Sequence, residues 1–231
     1  MSIFADTVSV MRQCSRLRAI PQPAPKIGKS ELTRAAILNA ALDFIWSHPF
    51  RDMTVRSLMA PTGASRSAFY PHFSNLHELM ETLLDMLQDE IFAATQPYFK
   101  GVGDPVALLG ESLTGLVRVC HQQGPFLRAV SDAAAADKRL EEAWMQFLEG
   151  FDDAVTNRIE ADHAQGLTPV FDARPVACAL NRLDAYALIH AFGTHPRGKR
   201  EPVRKALARI WISTLYGSEW LGKESSDLLR K

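Results

Sequence analysis

The stretch FRDMTVRSLMAPTGASRSAFYPHFSNLHELM, from Phe50 to Met80, constrains the fold of this chain more than any other. Thr54 offers an N-cap to a short helix whose Val55 and Leu58 point inward, and Gly63 stands where a tight turn needs a residue tolerant of positive φ. Ser65 is placed to cap a third, shorter helix and Asn75 a long one, with Phe69 and Phe73 expected to pack inward. Two short helices joined by a glycine-containing turn form a helix-turn-helix, whose second helix projects its first turn into the major groove of DNA. Upstream, Ile37, Ala41, Phe44 and Ile45 recur at helical spacing behind two candidate N-caps, Ser30 and Thr33. They predict a first helix that ends near Ser47-His48-Pro49.

Charge is distributed to match. The formal net charge is zero, but residues 1–72 carry nine Lys or Arg against four Asp or Glu, whereas the remainder carries seventeen against twenty-two. The basic end is the DNA-facing candidate, with ordinary solvated surface charge as the alternative. Residues 1–28 end in PQPAPKIG without a sustained apolar period and read as a mobile basic arm. Arg12, Arg16, Arg18 and Lys26 there are candidates for touching phosphates; a tail without a role, or a translation start at Met11, are the alternatives.

Beyond Asn75, helical periods separated by Gly and Pro run to the end, with no alternating strand pattern and no hairpin signal. They predict helices near 75–96, 104–122, 125–136, 138–164, 173–192 and 202–217. The fold class is therefore all-α, with about nine helices: a three-helix DNA-binding domain over 29–75 and a larger helical domain over 76–231.

Composition excludes several function classes. At 47% hydrophobic residues the chain can bury a sizeable core. Its apolar runs fall well short of the ~18–20 uncharged residues a membrane span needs. Asp6 precedes the first apolar stretch and the basic residues follow it, the reverse of a secretory signal, so a cytoplasmic protein is expected. Cys14, Cys120 and Cys178 are widely spaced and the seven histidines show no HExxH, so neither a disulfide framework nor a metal or other cofactor is expected. No GxSxG, P-loop or GxGxxG occurs, and Asp184 and His190, six residues apart, fall on different faces of one helix. An all-helical enzyme with a hydrophobic substrate is thus disfavoured and no catalytic residue is assigned.

Thr54-Val55, Leu58, Gly63, Ala64-Ser65 and Phe69-Tyr70-Pro71-His72-Phe73 resemble the N-terminal signature of TetR-type regulators. AWMQFLEGF, ALNRLDAYALIHAFG and RIWISTLYG follow in the order seen in the ethionamide-resistance type of repressor. The resemblance implies a homodimer formed through the helices near 173–192 and 202–217, a palindromic double-stranded DNA operator, and an apolar small-molecule effector bound in the second domain. Ligand there would alter the separation of the two reading heads and release the operator. A regulator whose second domain only dimerises and binds partners, with no small-molecule effector, is the runner-up.

Several residues are candidates for DNA contact. Thr54 and Ser65, hydroxyls at helix starts, suit phosphate, although they would serve as caps in any helical protein. Arg66 and Ser67 suit base edges, since arginine grips guanine bidentately. Tyr70 and His72 are similar to the family's phosphate contacts; Arg34 and Arg56 are candidates to join them, with Lys29 following the groove from the arm. Pro61 and Pro71 depart from the pattern, each removing an N–H near a helix end, and Leu76 stands where the family commonly has lysine.

Trp144, Phe147, Leu148 and Phe151 form a helical aromatic stripe that suits either core or pocket. The resemblance implies a pocket, lined also by Leu116, Cys120, Asn181, Asp184, Ile189 and Trp211. Burying Asn181 on an otherwise apolar helix requires a partner, either a ligand carbonyl or an interhelical hydrogen bond. Asp184, where the similar proteins can have an amide, favours a hydrogen-bond donor or cation, or else pairs in the neighbourhood of Arg182.

Overall fold

The computed structural model describes residues 28–217. The predicted arm, save its last residue, and the final fourteen residues of the predicted second domain lie outside them. Seven α-helices occur among the described residues: α1 (Lys29–Ile45), α2 (Val55–Met59), α3 (Leu76–Lys100), α4 (Pro105–Ala134), α5 (Lys138–Ala164), α6 (Ala173–Phe192) and α7 (Arg200–Leu215). Three 3₁₀ turns, Phe50–Asp52, Ala60–Thr62 and Arg66–Ala68, complete the head, and no strand is present among the described residues. The class is all-α, as expected, with seven helices rather than nine.

One merger and one helix that does not form account for the difference. Where the Gly124-Pro125 pair suggested a break, α4 runs through as one thirty-residue helix. Pro125 has no N–H to offer the His121 carbonyl, and the Arg197 guanidinium donates to that carbonyl at 2.7 Å. Gly124 is required by packing, because a Cβ there would lie 2.3 Å from the Phe192 carbonyl oxygen. α3 likewise continues past Pro97 to Lys100, four residues beyond its expected end. Ser112 of α4 ties down the backbone on either side of Pro97: its hydroxyl accepts from the Tyr98 N–H at 2.9 Å and donates to the Thr95 carbonyl at 3.0 Å. A proline inside a pattern ends a helix unless another element satisfies the freed carbonyl, as Arg197 does for Pro125.

The expected third helix does not form. Arg66–Ala68 is a single 3₁₀ turn, with Ala68 N–H bonded to Ser65 O at 3.0 Å and Phe69 N–H to Arg66 O at 3.2 Å. Pro71 supplies no N–H for the Ser67 carbonyl, so the α ladder stops before a full turn is made. Nor does Ser65 cap it; its hydroxyl bonds the Ser67 hydroxyl at 2.8 Å. Pro61 shortens the preceding helix as expected: α2 ends at Met59 and tightens into Ala60–Thr62, followed by Gly63 at φ 69°. Ser30 and Thr33 are not N-caps either, because α1 begins earlier, where the Glu31 carboxylate accepts from Gly28 N–H at 2.9 Å.

The remaining caps follow the sequence. Thr54 Oγ1 accepts from Ser57 N–H at 3.0 Å and Asn75 Oδ1 from Glu78 N–H at 3.0 Å. Helix α4 is the centre of the molecule, packing against α3, α5, α6, α7 and α1. One hydrophobic cluster extends from Ile37, Leu58, Phe69 and Phe73 in the head to Trp211 and Leu215 in α7.

Candidate nucleic-acid interface and apolar cavity

In the head, burial of Phe69 and Phe73 (0% and 1% exposed) turns the intervening and preceding polar residues outward. Ser65, Arg66 and Ser67 are exposed, as are Thr54, Arg56 and Lys29. The Tyr70 ring stands edge-on to Phe69 at 5.5 Å and is 55% exposed, with its phenol free to reach outward; His72 is half-buried. These eight share the accessible skin of a small basic head, a surface suited to phosphate and base-edge contact. Arg34 differs. It is half-buried, its guanidinium lies 5.2 Å from the Phe73 ring centre, and burial lowers its pKa against the opposing pull of Glu78. Its stem and charge are engaged in holding α1 against the head's core. Leu76, in the place of the expected lysine, is half-buried against the core.

A junction joins head to body. Trp46, at the C-terminus of α1, lies 4.3 Å beneath the Arg197 guanidinium and 5.2 Å from the His195 ring. That same Arg197 bonds the α4 carbonyl freed by Pro125. Sequence reasoning assigned Trp46 and Arg197 no role; the isolated tryptophan and the Gly-Pro pair gave no hint that they are bridged.

In the body, α3, α4, α5, α6 and α7 enclose an apolar cavity of about 90 Å³. All ten sequence-predicted ligand residues line it: Leu116 and Cys120 from α4, Trp144, Phe147, Leu148 and Phe151 from α5, Asn181, Asp184 and Ile189 from α6, and Trp211 from α7. The stripe on α5 is a wall, with Trp144 and Phe147 stacked at 5.3 Å and Phe151 edge-on to Phe147 at 5.1 Å. Sequence reasoning missed the α3 wall, including Ile91, Thr95, Tyr98 and Phe99. The apolar period of α3 was visible, but a period identifies an inward face without telling whether that face meets side chains or space.

The polar groups on the wall are few and individually fixed. Asn181 Nδ2 donates to Asp152 Oδ1 at 2.8 Å, so the interhelical alternative is the one realised. Arg182 grips the same carboxylate with both terminal nitrogens, at 2.9 and 2.8 Å. These bonds outweigh the burial of Asp152 and hold its carboxyl below the usual range. Asp184 does not pair near Arg182; its Oδ1 accepts from Trp211 Nε1 at 3.0 Å, and burial pushes its pKa up to about 7. Cys120 is fully enclosed, its thiol pushed well above the ordinary range by burial and by the neighbouring Asp184. At the cavity's α3 end, the Tyr98 and Tyr216 hydroxyls lie 3.0 Å apart, and Tyr216 donates to Asp162 at 2.7 Å. Asp184 and His190 form no dyad: the aspartate faces Trp211, and His190 stacks on Tyr186 at 6.1 Å.

No group of three or more metal-ligating side chains occurs among the described residues, and none of their helices is long and apolar enough to cross a membrane.

Comparison with known proteins accords with both halves. Residues 109–217 match the family described as the C-terminal domain of transcriptional regulator EthR. Over 215 residues the chain is 26% identical to the HTH-type transcriptional regulator EthR of Mycobacterium tuberculosis, covering 91% of this chain and 98% of that protein. It is also 26% identical over 140 residues to the nucleoid occlusion factor SlmA of Marinobacter nauticus, covering 59% of this chain and 71% of that one. A solved structure from Syntrophomonas wolfei, described as a TetR-family transcriptional regulator, superposes with a TM-score of 0.72 at 16% identity over 80% of this chain and 96% of its own.

Proposed function

Since this chain is a TetR-family transcriptional regulator of the EthR-like type, we propose that it works in the cytoplasm as a ligand-responsive repressor. A dimer grips a palindromic operator and is released when an apolar small molecule occupies the cavity of the body. The observation that carries this reading is the convergence of ten side chains from four helices on one apolar cavity. A void among well-packed helices is costly to maintain, and one lined by rings and a few fixed polar groups has the character of a ligand site. The chain acts by binding rather than by catalysis.

In this reading residues 29–75 read DNA and residues from 76 onward bind ligand and dimerise. Thr54, Ser65, Tyr70, His72, Arg56 and Lys29 hold phosphates, and Arg66 with Ser67 reads base edges. Arg34 serves the site from behind by supporting the fold of the head. Dimerisation uses the outward faces of α6 and α7, where Leu183 (37% exposed), Tyr186 (75% exposed) and Ala179 of α6 and Ala206 of α7 are exposed. Apolar groups of this size on adjacent helices are left uncovered in a lone subunit.

The test is mobility shift of the full chain on its own upstream intergenic DNA, over a salt series. Specific retardation with a steep salt slope, lost in Arg66→Ala, supports the reading; equal affinity for that fragment, other genomic fragments and random DNA would overturn it. The partial likeness to a nucleoid occlusion factor favours a second reading, in which the body docks partners and no small molecule acts. A thermal-shift screen with apolar ligands separates the two, because a ligand of the folded state must raise its melting temperature.

A further inference from the structure

Four charged side chains are buried among the described residues: Asp152, Asp162, Asp184 and Arg204. Three have an opposite charge. Asp152 is held by Arg182 at 2.8 Å, Asp162 by Arg158 at 3.0 Å, and Arg204 by Glu201 at 2.8 Å. Among the described residues Asp184 forms no ion pair, and its one hydrogen bond is the one that Oδ1 accepts from Trp211, on the cavity wall.

A buried carboxylate of this kind costs free energy unless a cation or a set of donors meets it. Among the described residues the cavity lining contains no Lys, Arg or His. It does contain the rings of Tyr98, Trp144, Phe147, Phe151 and Trp211, whose π faces attract cations in a desolvated site. We infer that the cavity selects an amphiphilic amine, its ammonium paired with Asp184 and its apolar body lying among the α5 rings. This rests on the cavity being the effector site.

The pairing makes binding depend on pH. Among the titratable groups facing the cavity with Asp184, Tyr98 of α3 is pushed up to about 12 and Cys120 of α4 is pushed well above its ordinary value, so both stay neutral. Among the described residues the walls from α5 and α7 contribute no titratable group and on α6 Asp184 stands alone, while Glu90 of α3 stands close enough to Cys120 to raise its thiol further. Burial raises Asp184 to about 7, so an ammonium entering below that pH must displace a proton from it. Amine affinity therefore rises with pH up to about 7 and then levels off.

Calorimetric titration of the full chain with 4-phenylbutylamine, 4-phenylbutanol and 4-phenylbutyrate tests this at about pH 5.5 and about pH 8, either side of that titration. At the higher pH the amine is expected to bind about tenfold or more tightly than the alcohol, the value of one charged hydrogen bond, with the carboxylate weakest. The preference shrinks at the lower pH and disappears in Asp184→Asn, whose folding is verified by its helical circular dichroism. Alcohol binding as tightly as amine would overturn the inference while leaving the effector site standing. Binding of none of the three, by protein that still retards its DNA, would count against both. An amine preference that survives in Asp184→Asn would move the ammonium away from Asp184 and sink the assignment.

Discussion

The head and the body of this molecule handle polar chemistry in opposite ways. In the head, a small aromatic core of Phe69 and Phe73 holds short turns whose Ser65, Arg66, Ser67 and Tyr70 face outward. In the body, long helices turn their distinctive residues inward, so that Asn181, Asp184 and Trp211 meet within the protein. The outward chemistry depends on the local backbone and is cheap to alter. The inward chemistry depends on several helices at once, and changing it is felt in stability as well as binding.

The largest effect expected is Phe69→Ala, which removes a fully buried ring and should cost about 3–5 kcal/mol. Chemical denaturation would report that loss, with DNA retardation abolished; an unchanged midpoint would mean that the head's core does not govern its surface. Asp184→Asn breaks the comparison from the other side. With its pKa raised from 3.8 to about 7, Asp184 adds stability only when protonated in the fold, and that contribution is lost as pH rises from about 4 through about 7. The amide keeps an acceptor for Trp211 without that dependence, so its stability relative to wild type should grow between pH 5 and pH 8 by about 3 kcal/mol at most, as read from melting curves at those two pH values. An advantage that is the same at both pH values would rule out Asp184 as the titrating group.

Arg66→Ala should leave melting unchanged, because Arg66 is exposed, while costing about 1–3 kcal/mol of operator affinity in a mobility shift. Equal loss of affinity for specific and random DNA would demote it to a phosphate contact. The smallest expected effect concerns the junction. Trp46→Ala removes the surface beneath Arg197, worth about 1 kcal/mol in stability, and should reduce the drop in DNA affinity that ligand produces more than it changes affinity itself. An undiminished ligand response would show that head and body communicate elsewhere.

Much of this was legible beforehand, unevenly. Thr54, Gly63 and Asn75 act through neighbours a few residues away, and the turn, the caps and the head's exposed surface follow from them. Ser65 misled because a serine before a polar run is a cap only if a helix follows, and Pro71 prevents one. The boundaries of α5 and α6 were visible in their helical periods, whereas the continuity of α4 was not. It rests on Arg197, seventy-two residues away from Pro125, meeting the His121 carbonyl.

The sequence by itself determined the all-helical class, the Thr54-capped helix and the Gly63 turn that follows it, the polarity of charge and the aromatic face of α5, since each is set by spacing along the chain. Only the tertiary structure decided that this face lines a cavity, that Asp152 takes both Asn181 and Arg182, and that Asp184 meets Trp211. Whether a buried polar group is satisfied depends on which distant donor reaches it in space, and helical periodicity specifies a direction without specifying what stands there.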